Sequence, residues 1–170
     1  KKNKFQFRKY CYQDFLLNKA FKRNDIKNSK YNGISINTKT LRKNDLFFCI
    51  KGKKTDGHNF AKIALKKGAA KLIVSKKLRD IPAKKTIKVK DTFYSLNSLA
   101  KITRNNSSAQ IIGITGSVGK TTLKNLVAYI LKNYGRVYHS PHSYNNKFGV
   151  PFSLSNLKKN INYGVFEIGM

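Results

Sequence analysis

Short apolar runs alternate with amphipathic stretches along this chain, the pattern of buried strands paired with covering helices. Ile34 and Ile36 alternate as a short strand, residues 46–50 (LFFCI) read as a buried one, and residues 71–75 and 86–89 add two more. Helices are expected around residues 12–21, then after a glycine-bearing loop with Phe60, Ala61, Ile63, Ala64 and Leu65 turned inward, closing at Gly68. Phe93, Leu96, Leu99 and Ala100 mark another helix. Beyond the polar cluster at residues 105–108, residues 110–114 form a β-branched run with the length of a buried strand. From Thr121 onward, Leu123, Leu126, Val127, Ile130 and Leu131 follow the i, i+3, i+4, i+7, i+8 spacing of an apolar helix face. A short strand at 136–138, a helix at 151–157 and a strand at 163–168 complete the series. Alternating strands and helices predict an α/β fold with parallel sheets on both sides of the polar cluster. The expected division is residues 1–107, of which 1–32 show no clean periodicity, and residues 108–170 as the start of a second α/β unit.

The strand and helix at 110–131 enclose the most informative stretch, T-G-S-V-G-K-T-T at residues 115–122. Gly116 and Gly119 let the backbone turn tightly and approach an anion with its N–H groups, and the helix adds the positive end of its dipole. Lys120 would reach terminal phosphates, and the Thr121 hydroxyl would sit on a magnesium ion. The general phosphate-loop pattern asks for glycine where this chain has Ile114, its glycine lying one place earlier at Gly113. A turn that binds nothing would account for the glycines but not for Lys120, Thr121 and Thr122 at a helix start. A donor-rich loop, residues 139–151, leaves the next strand beside this turn, where ligand contact is geometrically natural.

Composition changes the picture less than its extremes suggest. Thirty-six Lys and Arg against seven Asp and Glu give a formal charge of +29, which would attract polyanions. The lysines are scattered through every segment, however, and no RRM-like aromatic motif, zinc-ligand spacing or basic heptad helix accompanies them. Specific nucleic-acid binding is not expected. Cys11 and Cys49 make no disulfide framework and read as reduced cysteines of a cytoplasmic protein. No apolar run approaches the roughly 20 residues that span a bilayer, so no membrane insertion is expected. The chain begins at Lys1 and ends at Met170 directly after a strand, and is read as a fragment of a longer protein. Glu167 is its only glutamate and stands at the end of that strand, where α/β ligand sites lie. Taken alone it would be a strand-end surface residue.

Three separated pieces resemble one family, the ATP-dependent Mur ligases of peptidoglycan synthesis. The first runs from G-I-S-I-N-T-K-T-L at residue 33 through N-D-L-F-F at 44 to D-G-H at 56–58, with G-A-A at 68–70. The second is the turn at 115–122. The third is S-Y-N-N-K-F-G-V-P-F-S-L at 143–154, followed by F-E-I-G-M at 166–170. The N-N-x-x-G-V-P and E-x-G-M elements are most like the member that adds D-alanyl-D-alanine to a UDP-N-acetylmuramoyl-tripeptide. The resemblance implies an N-terminal uridine-nucleotide domain, then the beginning of a central ATP-binding domain. It also implies ATP and Mg2+ as cofactors, the nucleotide-linked peptide and D-alanyl-D-alanine as partners, and a monomer. ATP phosphorylates a carboxylate in that family, and an amine then displaces phosphate from the acyl phosphate.

Carried over by position, Thr115, Gly116, Ser117, Val118, Gly119, Lys120, Thr121 and Thr122 would hold ATP. Lys120 and Glu167 would be catalytic, and Thr121 and Glu167 would bind magnesium. Thr38, Lys39 and His58 would contact uridine diphosphate, and Asn145 and Asn146 the sugar-diphosphate region. This chain has Asn37, Thr38 and Lys39 where the family usually has Asp-Ser-Arg, and lysine lacks the two-pronged contact of arginine. His58 is equally readable as a loop residue capping the following helix, and His139 and His142 read as solvated. The fragment itself is expected not to turn over. The alternatives are a diamino-acid-adding Mur ligase, a basic nucleic-acid-binding phosphate-loop protein, and a degenerate remnant.

Overall fold

The computed structural model describes residues 12–52, 55–141 and 144–169. Expectations resting on Cys11, His142, Ser143 and Met170 lie outside the described residues. Two parallel sheets carry the fold. The first has the order β1-β2-β3-β4, built from β1 (Ile34–Ser35), β2 (Leu46–Phe48), β3 (Lys71–Val74) and β4 (Thr86–Lys88). The second has the order β5-β7-β6, built from β5 (Gln110–Ile114), β6 (Val137–His139) and β7 (Tyr163–Glu167). Every strand pair is parallel, as the alternation of strands and helices requires.

The central strands β2 and β3 of the first sheet are buried on both faces, which is why they read as continuous apolar runs. Along β2 and its continuation, Leu46 and Phe48 enter one core while Phe47 and Cys49 enter the other. The first core is closed by Leu16, Leu17 and Ala20 of α1 (Tyr12–Phe21) and by Leu96 and Leu99 of α3 (Thr92–Asn105). The second is closed by Ala61 and Ala64 of α2 (Ala61–Lys66), preceded by a 3₁₀ turn, Gly57–Phe60. Phe60 and Ile63, expected inward, are 38% and 45% exposed. Six residues of helix cover the sheet with one narrow stripe, and the two small alanines occupy it. Burial pushes the Cys49 thiol up to about 12.

The second sheet corrects two further expectations. β5 is an edge strand, so Gln110 and Gly113 are exposed, Ile111 and Ile112 half-buried, and only Ile114 is buried. The following helix, α4 (Lys120–Leu131), buries Lys124 and Ala128, whereas Leu123, Leu126 and Ile130 of the expected apolar face are 48%, 53% and 47% exposed. The face turned to the sheet is centred on residues 121, 124, 128 and 131, at i, i+3, i+7 and i+10, with Val127 beside it. α4 crosses from β5 to β6, and β7 returns between them.

The two sheets are joined through helices. α5 (Gly149–Ser155) packs on α3, and Phe148 meets Phe93 edge to face at 4.9 Å. Just after α5, Asn156 clasps the outer edge of β1. Its Oδ1 accepts from Ile34 N at 2.8 Å, and its Nδ2 donates to Ile34 O at 3.2 Å. That edge would otherwise present unpaired backbone groups. Among the described residues no helix is long and apolar enough to cross a membrane.

Candidate active site

The C-terminal ends of β5, β7 and β6 lie side by side, so the segments leaving them converge. β5 leads into the turn at 115–119. Gly116 has φ +141° and Gly119 φ +75°, conformations that a Cβ would penalise. Gly119 is the N-cap of α4 and supplies no capping side chain, so the first N–H groups of a 12-residue helix face the turn. Lys120 folds back over this turn, donating to Gly116 O at 2.5 Å and Ser117 O at 3.1 Å. A phosphate entering the turn would offer the ammonium a charged acceptor in place of two carbonyls. Val118 is 90% exposed at the tip.

β7 ends at Glu167, opposite Ile114 in the sheet register. Its carboxylate is buried, with 2% of the residue exposed, and both oxygens are engaged. Thr121 Oγ1 donates to Oε2 at 2.7 Å, and Asn145 Nδ2 donates to Oε1 at 2.7 Å. Burial works against the charge, but these bonds and the nearby Lys124 and Lys120 ammonium groups hold the carboxyl below its ordinary range. Glu167 is therefore an anion kept in a buried place, contrary to the surface residue its position alone suggested.

This pair fits magnesium. Adjacent ligands on an octahedral ion with Mg–O near 2.0–2.1 Å stand about 2.9 Å apart, and the Thr121 hydroxyl and Glu167 oxygen are 2.7 Å apart. Both are hard oxygen donors. Among the described residues no group of three or more His, Cys, Asp or Glu side chains could hold a metal by itself. One carboxylate and one hydroxyl, completed by phosphate oxygens and water, is how this ion is ordinarily bound.

β6 ends at His139 and leads to Ser140, which is fully buried. Ser140 Oγ accepts from Glu167 N at 3.2 Å, and Ser140 O accepts from Lys124 Nζ at 2.9 Å. Lys124 is 1% exposed, and its Nζ lies 4.0 Å from Glu167 Oε2. Burial lowers the affinity of this ammonium for its proton, and Glu167 opposes that. Periodicity passed over Lys124 because a lysine does not count toward an apolar stripe, and Ser140 carried no motif. The spacing of Lys124, three from Thr121 and four from Lys120, was the available signal.

The structure thus brings together Gly116, Gly119, Lys120, Thr121, Asn145 and Glu167. Asn145 bonds to Glu167 and accepts from Gly169 N at 2.7 Å. Asn146 does something else: its Oδ1 accepts from Phe148 N and Gly149 N at the start of α5. Thr38, Lys39 and His58 belong to the other sheet. Thr38 and Lys39 occupy the turn after β1, where Thr38 O accepts from Lys67 Nζ and Lys39 N donates to Asn37 Oδ1. His58 follows β2, and both turns leave the same edge of the sheet. The ring of His58 is buried. Nδ1 lies 2.6 Å from Asp56 Oδ1, and Nε2 accepts from Ser75 N at 3.0 Å. The cap of the 3₁₀ turn is Asp56, so His58 neither caps it nor turns a ring nitrogen outward. His139, expected in solvent, is half-buried. Its Nδ1 is shielded without a hydrogen-bond partner among the described residues, and its backbone ends β6 in register with Val165.

A model of the Mur ligase middle domain matches residues 114–170, and one of the Mur ligase family catalytic domain matches residues 30–106. The chain belongs to the Mur ligase family. Curated relatives named UDP-N-acetylmuramoyl-tripeptide–D-alanyl-D-alanine ligase include one from Rickettsia prowazekii, 37% identical over 86% of this chain and 32% of its own length. Another, from Escherichia coli, is 36% identical over 85% of this chain and 33% of its own. Among solved Mur ligases, a crystal structure of MurF from Acinetobacter baumannii superposes with TM-score 0.76 at 28% identity, covering 92% of this chain and 35% of that one. MurF ligase from Thermotoga maritima in complex with ADP superposes with TM-score 0.65 at 33% identity, covering 85% and 33%. The chain spans about a third of the length of the relatives it matches.

Proposed function

We propose that the full-length protein is an ATP-dependent ligase that adds D-alanyl-D-alanine to UDP-N-acetylmuramoyl-tripeptide. The observation that carries this reading is Thr121 facing Glu167 at 2.7 Å beside the Lys120 turn, with relatives of that name at 36–37% identity behind it. In this reading the turn from Thr115 to Thr122 holds the phosphates of ATP, its N–H groups and Lys120 meeting the charge that builds on the transferred group. Thr121 and Glu167 would hold Mg2+, which when bound supplies a Lewis acid on the phosphate oxygens. A peptide carboxylate oxygen attacks the terminal phosphorus and ADP leaves. The amine of D-alanyl-D-alanine then attacks the acyl carbon, loses a proton, and inorganic phosphate departs. Asn145 would keep the Glu167 carboxylate turned toward Thr121.

Residues 1–107 would bind the uridine nucleotide and residues 108–170 would begin the ATP-binding domain. Thr38 and Lys39 would meet the uridine diphosphate, with His58 shaping the neighbouring turn from within and Asn146 setting the loop that approaches the sugar diphosphate. A monomer in the cytoplasm completes the reading. The test is phosphate release by the full-length protein. Release from ATP that requires both the UDP-muramoyl-tripeptide and D-alanyl-D-alanine supports the assignment. Release with the dipeptide precursor and a diamino acid instead overturns it in favour of the other ligase. Salt-sensitive RNA binding with no uridine-nucleotide protection against heat would overturn the ligase reading altogether.

A further inference from the structure

Lys124 has no role in the chemistry just described, yet it is among the most deeply buried side chains of the molecule. A lysine is rarely placed so, because removing an ammonium from water is costly unless it is paired and hydrogen-bonded. Its position closes a ring. Lys124 Nζ of α4 donates to Ser140 O after β6, Glu167 N at the end of β7 donates to Ser140 Oγ, and Glu167 Oε2 accepts from Thr121 Oγ1, back on α4. Thr121 and Lys124 are three residues apart on one helix face, so a single rigid element presents both the candidate metal-binding hydroxyl and the ammonium that pins the opposing strand ends.

We infer that Lys124 is a positioning residue, which ties the ends of β6 and β7 to α4 and so fixes the Glu167 carboxylate opposite Thr121 before a metal arrives. The inference rests on the phosphate-loop and magnesium reading of the site. Lys124 is not a ligand, since an ammonium has donors only. It acts through the carbonyl and the carboxylate it faces.

Positioning and plain electrostatics predict opposite signs, which makes the inference testable. Removing a cation next to a metal site lessens repulsion and should tighten metal binding. Removing a tether loosens two ligands that must sit near octahedral geometry, and loss of such outer partners typically costs about 10–100-fold in metal affinity. The experiment measures ADP affinity of the full-length protein by titration calorimetry, once with excess Mn2+ and once with EDTA; the ratio of the two affinities reads the metal linkage. For Lys124→Met the ratio is expected to fall about tenfold or more, while ADP affinity in EDTA stays within about twofold. Lys124→Gln, which keeps a donor on a shorter stem, should fall between Lys124→Met and the native protein. An unchanged or increased ratio in either variant overturns the inference. Should Lys124→Met not fold, Lys124→Gln decides alone by the same criterion. Lys120→Ala is the control for the underlying reading and should lose ADP affinity under both conditions. A native protein whose ADP affinity ignores Mn2+ would overturn the metal reading itself.

Discussion

The two sheets differ in what is enclosed at the ends of their strands, for both have apolar clusters, the second around Phe166 and around Val165 and Ala128, but only the second adds a buried polar ring. In the first, Leu46, Phe47, Phe48, Leu72 and Ile73 are almost wholly out of solvent, and apolar helices close both faces. In the second, the residues most completely enclosed around the strand ends include Lys124, Ser140 and Glu167, while Leu123, Leu126, Tyr129 and Ile130 of α4 are exposed. The first sheet is held by the hydrophobic effect, and its turns are placed by it. Beside its smaller apolar clusters the second encloses a polar ring whose cost is offset only because every charge in it has a partner.

The largest effect that would break this contrast is in the first core. Phe48→Ala should cost about 3–5 kcal/mol of unfolding free energy, since it empties a fully enclosed ring position between α1, α3 and the sheet. Chemical denaturation checks it, and a cost below about 1 kcal/mol would mean the core does not have this packing. Next comes Lys120→Ala, expected to lower ATP turnover by the full-length protein about 100- to 1000-fold, the usual loss when one stabilising group is taken from a charged transition state. Its melting temperature should hardly move, because the Lys120 ammonium is hydrogen-bonded to two carbonyls of a half-exposed turn and is no part of the core. Near-native turnover would remove the phosphate role of the turn.

How far each region was legible follows from the same contrast. The pattern of apolar residues located every strand of the first sheet and α3, because burial there is apolar and obeys geometry alone. Applied to α4 it chose the stripe through Leu123, Leu126, Val127, Ile130 and Leu131, of which Val127 and Leu131 pack on the sheet while the buried face turned out to centre on Thr121, Lys124 and Ala128. The rule failed where chemistry, not oil, decides which side faces in. The family resemblance, and no spacing rule, set Thr121 beside Glu167; 46 residues apart in sequence, the two side chains are bonded. No spacing rule could show that Asn145 bonds to that glutamate, that Asn146 instead braces α5, or that His58 is spent on Asp56 and Ser75. Those partnerships depend on which loops the sheet order brings together.

A smaller effect sharpens the picture of the first sheet's polar edge. Burial raises the Asp56 carboxyl, but hydrogen bonds from Lys76, His58 N and the His58 ring outweigh it and hold the group well below the usual carboxylate range. A depressed value stabilises the fold above the unfolded-state pKa of about 3.9 and is lost as pH falls through the folded one. Asp56→Asn should therefore flatten the decline of the urea midpoint between pH 5 and about pH 2, with little change near neutrality beyond the loss of the ion pair. An equally steep decline in the variant would show that other carboxylates carry it.

The smallest effect is expected on the exposed stripe of α4, and it tells most about what that stripe is for. Leu126→Ala in the 170-residue chain should change stability by no more than about 0.5 kcal/mol, since the side chain is 53% exposed and alanine is the better helix former. The same substitution in the full-length protein is the informative partner measurement. A cost of about 2 kcal/mol or more there would place Leu126 in a buried contact that only the longer chain makes. An equally small cost would leave the stripe facing solvent in the whole protein, with α4 held by the face that carries Thr121, Lys124 and Ala128.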